Sequence, residues 1–489
     1  MLPVLVGLLV AVGPLLRGSW DLWAQSLLFM AVVSGFCLWL IGRFAIGYMP
    51  LPSQRILAWT AVLAVLSWAA LSLSPLPIYA APAWRNLLLG LWIFAIIPIV
   101  SKDERAAIDE AIRVCAWILV LLAFYQRYYE HSEPVSALLN RNVFAGTALL
   151  LLPLSVQKRD WVLGFALILI LFWSRSVGAW LGLAGALMLT RRDRGPVTYW
   201  IGAAIGFICL VVIYGKLQSP EVLHRWQWWA AAARMAAARP GFGFGPGTFA
   251  YVLPAFQEPG RNLSSLYAHQ HFLETAAEYG VVFTLAWCLG LAHFLRRGGA
   301  HKRFGALAIL IQSLWDYPLS IPANFWLFCY FAASSTPQTS RGVNIAARLK
   351  IIYGVLAVAL SGGISYMTWQ RWEADRLKVR GVELFTEGAP PFESAAFFAR
   401  SLRLVDDPET ERFAAEIELR QVGEGKNLHS ALAHLERAAA LNPYRASTWV
   451  ALERLHRRMN NPEAANERRR LGAKFCPVLR LNGVAGVSP

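Results

Sequence analysis

The residues between Glu221 and Gly280 hold the densest run of types able to do chemistry. Arg225 and Trp229 are four apart, on one face of an expected helix. Pro240-Gly241-Phe242-Gly243-Phe244-Gly245-Pro246-Gly247 follows. Its glycines let the backbone take positive φ and approach a ligand closely, although such runs are as often tight connections. His269-Gln270-His271-Phe272-Leu273 then opens a helix expected to run through Glu274 and Glu278 to Gly280. Imidazole titrates near neutral pH, so His269 can accept the proton of a hydroxyl; His271 faces another side of the helix and is a candidate ligand contact.

Arginines could hold phosphate. An arginine at mid-bilayer costs about 2.5–3.5 kcal/mol. Charge-assisted hydrogen bonds to phosphate return roughly 1.5–3 kcal/mol each. An arginine facing a polar cavity therefore breaks about even once an anion binds, which suits Arg225, Arg175 and Arg141 near expected helix ends. The competing roles are snorkelling to headgroups, sufficient for Arg17 or Arg85, and a pairing of Arg225 with Glu221 on its own helix. For His269 the competing role is local hydrogen bonding at a helix start. Glu274, Glu278 and Asp316 either orient His269 or an arginine, or cap helices and bind nearby backbone. Trp226, Trp228 and Trp229 belong to an interfacial belt or stack on sugar or lipid.

The elements that must position these residues are membrane helices. Of 489 residues 56% are hydrophobic, above the about 45–50% of soluble domains. Apolar runs recur at 2–16, 22–42, 56–74, 86–100, 111–126, 143–156, 160–173, 177–190, 198–214, 280–295, 304–316, 323–334 and 349–366. The first lacks a basic start and a cleavage site and is expected to be a retained helix. The expected fold is an all-α polytopic membrane protein with about 12–13 spans.

Charge sets the expected orientation. Lys and Arg crowd one set of loops: Arg43 and Arg55; Lys102, Arg105 and Arg113; Lys158 and Arg159; Arg191, Arg192 and Arg194; Arg296, Arg297, Lys302 and Arg303; Arg341, Arg348 and Lys350. The opposite loops carry mostly single arginines, so the crowded set reads as cytoplasmic. Residues 215–279 and 367–489 then lie outside the cytoplasm. The net charge of +16 is accounted for by these loops, without the basic stripe of a nucleic-acid binder. Five of six cysteines fall in apolar runs, and no Cys/His spacing suggests a metal; no cofactor is expected.

Two parts are expected: a transmembrane domain, 1–366, with a catalytic loop at 215–279, and a helical tail, 367–489. Within the tail, Pro443 and Pro477 are one tetratricopeptide period apart, with Trp449, Leu452, Ala465 and Gly472 at bulky and small positions of that repeat. Ala431, Leu435 and Ala438 fit the second helix of the preceding repeat, and 393–408 is a vestige. His456 and Arg469 depart from the pattern, and an ordinary helical hairpin is the alternative.

The order Arg225-x-x-x-Trp229, then Pro240-x-x-Gly243-x-Gly245, then His269-Gln270-x-Phe272-Leu273 with Glu278-x-Gly280 resembles the O-antigen ligase family, whose module also occurs in O-antigen polymerases and bacterial protein O-oligosaccharyltransferases. Ser174-Arg175 before Gly178-Ala179, Asn140-Arg141-Asn142 and Asp316-Tyr317-Pro318-Leu319 are similar to family landmarks, and the resemblance covers about 130–335. Gln270 stands where the family has Asn. The resemblance implies metal-independent, inverting transfer of a glycan from an undecaprenyl-pyrophosphate donor at the bacterial inner membrane. The acceptor would be lipid A core, a second glycan or a protein hydroxyl. It implies His269, Arg225 and Arg175 as catalytic and Arg141, Gly243, Gly245, Trp229 and His271 as substrate-binding residues, with membrane lipid and a protein partner of the tail as further contacts. Outside this class stand a transporter, which half-to-half similarity would favour, and a non-catalytic scaffold for the tail.

Overall fold

A computed structural model describes residues 1–138, 140–190, 196–217, 219–258, 263–297, 300–336, 341–420 and 428–480. Arg191, Arg192 and Arg194, counted above among the basic loops, lie outside these residues, as do the side chains of Arg297 and Lys302.

Each expected apolar run falls on a helix. The first half holds α1 (Leu2–Gly7, continued in irregular turns to Leu15), α2 (Leu22–Ile46), α3 (Gln54–Ser72), α4 (Pro77–Ile96), α5 (Lys102–Tyr128), α6 (Arg141–Gln157), α7 (Trp161–Ser174), α8 (Val177–Leu189) and α9 (Pro196–Lys216). After the loop helices α10 (Pro220–Ala238), α11 (Phe249–Phe256) and α12 (His271–Tyr279) come α13 (Val281–Arg297), α14 (Ala300–Gln312), α15 (Pro322–Ser334) and α16 (Ala347–Thr386). Among the described residues five helices are long and apolar enough to cross a membrane: Leu22–Ile46, Gln54–Ser72, Pro77–Ile99, Pro196–Gly215 and Ala347–Thr386. The protein is an all-α polytopic membrane protein.

Two of the shorter helices, α6 and α15, lie in the interior. At 13 residues, α15 spans about 20 Å against a hydrocarbon core of about 30 Å. It is buried along nearly its whole length and is held by paired polar groups. Asn324 Oδ1 accepts from Thr147 (2.7 Å), Trp326 donates to the Asn86 carbonyl (3.0 Å), and Tyr330 donates to Asp109 (2.7 Å). α14 packs between α6 and α8, where Gly146 lets Pro318 and Gln312 approach α6.

A two-stranded ribbon, Tyr48–Pro50 against Gly342–Asn344, ties two of the basic loops together. It follows the far end of α2, whose other end, at Leu22 and Gln25, belongs to the site described below. The 25 residues of α2 separate the two by about 37 Å.

α16 carries its 40 residues without a break out of the bundle into the tail. There Ser401 donates to the Ala374 carbonyl (2.7 Å) and Gly381 lies under Phe398. The tail continues as α17 (Pro391–Leu404), α18 (Pro408–Arg420), α19 (Leu428–Leu441), α20 (Ala446–Arg458) and α21 (Pro462–Phe475), packed in sequence order. Ala431, Leu435, Trp449, Leu452 and Cys476 share its core, and Gly472 admits the Trp449 ring. The tail is docked on the bundle's loops: Tyr444 meets Phe244 edge-on at 6.2 Å, and α11 packs on Pro477–Arg480.

Candidate functional site

The site is organised by the segment on which α14 ends. Gln312, its last residue, donates from Nε2 to the Asn142 carbonyl in the first turn of α6 (2.8 Å). Gly178, in the first turn of α8, lies against Gln312 and Trp315. The Ser313 carbonyl accepts the His271 N–H (2.9 Å), and the Trp315 carbonyl accepts Arg225 Nη1 (2.8 Å). Asp316 closes the segment: it is 3% exposed, so its charge must be met by protein. Oδ1 accepts the Tyr317 N–H and lies 3.2 Å from His269 Nδ1; Oδ2 lies 3.8 Å from Arg225 Nη2.

His269 takes φ +56°, a left-handed conformation that costs a non-glycine residue of order 1 kcal/mol or more and persists where surroundings enforce it. Those surroundings are Trp228, stacked on the imidazole at 5.0 Å and 17°, and Tyr317, edge-on at 4.7 Å. Trp229 donates Nε1 to the His269 carbonyl (3.3 Å). The Asp316 contact is close but out of line for a hydrogen bond, so it acts on His269 through charge. A carboxylate beside Nδ1 favours the proton on that nitrogen and leaves the Nε2 lone pair as the basic position. Gln270 caps α12 by accepting the Leu273 N–H, the task for which a shorter Asn is equally equipped.

α10 brings Arg225 here because its Ala231, Ala232 and Met235 pack on Phe244, Phe249 and Leu253; that apolar face covers protein. Among the described residues the partners of Arg225 are Trp315 and Asp316, not Glu221 of its own helix. Arg175 is exposed in a left-handed turn (φ +52°) between α7 and α8, three residues before Gly178. Arg141 opens α6 beside Asn142 and pairs with Glu133 at 2.8 Å. Arg225 thus reaches this segment directly from the second turn of α10, while Arg175 and Arg141 sit at the ends of helices whose neighbouring Gly178 and Asn142 pack on Gln312.

The glycine loop is bound to α12 along its edge. Phe244 N–H donates to the Ala277 carbonyl (3.0 Å), Gly245 N–H to the Glu278 carbonyl (2.8 Å), and Val281 N–H to the Pro240 carbonyl (2.8 Å). Gly243 (φ +64°) lies on the Glu278 backbone and Gly245 (φ +106°) on Ser74, so a Cβ at either would collide. Glu278 accepts from the Gly247 and Phe249 N–H groups at 2.8 and 3.0 Å, and Glu274 from Ser320 and the Ala268 N–H at 2.7 and 2.6 Å. Burial raises the pKa of both carboxyls, and the charge of Glu274 adds to the effect on Glu278.

His271, two residues after His269, lines a different space: a cavity of about 390 Å³ with mixed polar and apolar walls, bordered by α12, the near ends of α2 and α4, and the tail. Burial lowers its pKa to about 4. The structure therefore joins His269 and Arg225 through Asp316, with Arg175 and Arg141 on adjoining helix starts. Trp229, Gly243 and Gly245 fasten the site's own backbone, and His271 belongs to the cavity. Gln312 carried no signal in the sequence, and Trp228 and Tyr317 stood out there only as a belt or stacking residue and as part of a family landmark; their contacts with His269 join distant segments that spacing does not encode.

Residues 162–288 match the O-antigen ligase family model. The matched stretch runs from α7 into α13 and contains Arg175, Arg225, the glycine loop and both histidines; Arg141 and Asp316 lie outside it. No curated protein matches the chain. A segment similar to O-antigen ligases, in a multi-pass helical protein, supports membrane function of the ligase or polymerase type.

Proposed function

We propose that the protein is a glycosyltransferase of the O-antigen ligase type, moving a glycan from an undecaprenyl-pyrophosphate donor to an acceptor hydroxyl on the periplasmic face of the inner membrane. The observation that carries this reading is the convergence of His269 and Arg225 on buried Asp316. Arg225 and Arg175, with Arg141 beside them, hold the pyrophosphate. Each supplies charge-assisted hydrogen bonds that strengthen as negative charge grows on the leaving group. His269 Nε2 takes the acceptor proton while the hydroxyl oxygen attacks the anomeric carbon. The carbon–phosphate oxygen bond breaks on the opposite face, its electron pair leaving with undecaprenyl pyrophosphate, and the anomeric centre inverts. No metal is required in this scheme.

The tail is read as a tetratricopeptide-type stack in the periplasm, able to bind a protein acceptor or an assembly partner. Lipid A core makes the enzyme a ligase, a second lipid-linked glycan a polymerase, and a protein Ser or Thr an oligosaccharyltransferase. The test is transfer in reconstituted membranes from an undecaprenyl-pyrophosphate oligosaccharide, with each acceptor class offered separately. Product with one class assigns the acceptor. Donor bound but transferred to no class contradicts the reading in favour of transport.

A further inference from the structure

We propose that the cavity between α12 and the tail is a saccharide-binding chamber, and that the tail forms one of its walls. Its floor comes from the bundle and the loop: Tyr79, Tyr251, Tyr267 and His271. Its roof comes from residues a hundred or more positions later in the chain: Arg371, Asp375 and Lys378 of α16, and Asp407 and Glu409 at the start of α18. At about 390 Å³ it falls within the roughly 300–1,000 Å³ of small-ligand sites.

The chemistry of the walls selects the ligand. Tyr79 and Tyr251 stack at 3.6 Å, and Trp20 and Tyr267 meet at 5.9 Å, giving flat apolar surfaces suited to the C–H faces of sugar rings. Asp375, Asp407 and Glu409 in the lining offer carboxylate oxygens that accept hydrogen bonds from hydroxyls. Lys378 is neutralised by Asp375 at 2.9 Å and Asp407 at 3.6 Å. Among the described residues no carboxylate comes within ion-pair distance of Arg371, on which Asp407 and Asp375 act at longer range. Its guanidinium is left to donate to a ligand. Asp375, Asp407 and Glu409 outnumber Arg371 and Lys378, while burial favours the neutral acids of Glu274 and Glu278, so the chamber holds no surplus of positive charge for a pyrophosphate and suits an uncharged, polyhydroxylated chain.

Its position ties it to the transfer site. Tyr267, in the chamber wall, stacks on Tyr317 at 4.5 Å, and the Tyr317 ring meets His269 at 4.7 Å. One tyrosine pair thus stands between the chamber and the base. Ser320, four residues after Asp316, also lines it. We assign the chamber to the acceptor's saccharide, an assignment that rests on the transferase reading, whereas saccharide binding itself does not.

The experiment uses the full chain in detergent. Binding of neutral, lipid-free oligosaccharides of two to four rings (gluco-, galacto-, manno- and N-acetylhexosamine series) is measured by calorimetry for wild type, His269→Ala, Arg371→Gln and Tyr79→Leu. Transfer kinetics are measured in parallel. The expected result is that wild type and His269→Ala bind one series equally. Arg371→Gln should weaken binding about tenfold or more, the loss expected for a hydrogen bond to a charged group, and Tyr79→Leu should weaken it about three- to tenfold through the lost ring surface. In transfer, Arg371→Gln should raise the acceptor KM by a similar factor, leaving the donor KM and the kcat at saturating acceptor unchanged. Inorganic pyrophosphate should not displace the saccharide. Transfer that depends on His269 while both chamber variants keep wild-type saccharide affinity and acceptor KM overturns the chamber and leaves the transferase reading standing. A raised donor KM in Arg371→Gln, or displacement by pyrophosphate, overturns it in favour of an anion site. Saccharide binding lost in both chamber variants, in a protein that transfers to no acceptor, supports the chamber and refutes only its acceptor role.

Discussion

His269 Nδ1 and Asp316 Oδ1 lie 3.2 Å apart, joining the start of α12 to the segment that leaves α14. The same carboxylate reaches towards Arg225 through its other oxygen, at 3.8 Å. One buried group therefore faces both the proposed base, beside its Nδ1, and the arginine proposed to bind phosphate.

Asp316→Asn keeps the shape and removes the charge. Its amide no longer favours the proton on Nδ1, and Arg225 loses its anionic neighbour. Transfer should fall about 10²-fold or more, within the range general-base catalysis contributes. Membrane yield and thermal stability should stay near wild type. Near-wild-type transfer would show that Asp316 does not orient His269.

The glycine loop offers an internal control. Gly245→Ala places a Cβ on Ser74 at a φ of +106°, which should destabilise the protein by about 1–3 kcal/mol and lower its yield. Gly241→Ala meets nothing within 4 Å and should be nearly neutral. The comparison is read from melting temperatures of the two purified variants; equal behaviour would remove the packing role assigned to the loop.

His271 should make the protein acid-sensitive. Its folded pKa, pushed down by burial to about 4, lies below the ordinary 6.5, so the fold favours the neutral ring. That contribution is intact above pH 6.5 and is lost as pH falls towards 4. Melting temperature should therefore drop between pH 7 and 4.5 in wild type and drop less in His271→Gln. An unchanged slope would place the acid sensitivity elsewhere.

Much of this architecture was legible in residue order. Each apolar run from 2–16 to 349–366 falls on a helix, because about 15–20 apolar residues in a row have few other outcomes. Arg225 and Trp229 share α10, and the helix from His271 ends just before Gly280. What order did not reveal are encounters between distant segments. Asp316 had capping and orienting roles open to it, and only the fold shows it binding the Tyr317 N–H while facing His269 and Arg225. The left-handed backbones of His269 and Arg175 carry no glycine to announce them. Arg371 and Asp407 meet Tyr79 across the cavity only because α16 runs on into the tail and turns it back over the loops.

That docking is testable through Tyr444, which packs on Phe244 at 6.2 Å and on Phe475 at 5.8 Å. Such aromatic pairs contribute about 0.5–1.5 kcal/mol each beyond area burial. Tyr444→Ala should speed limited proteolysis of the tail several-fold while α16 stays intact. Wild-type cleavage rates would mean that the tail is held by other contacts.

The most direct test of the central claim is a single-turnover measurement on His269→Ala in proteoliposomes loaded with undecaprenyl-pyrophosphate oligosaccharide and acceptor. Loss of the general base should cut the transfer rate about 10²–10⁴-fold while donor affinity stays within a factor of two or so of wild type. Transfer at the wild-type rate with His269 absent would contradict the account.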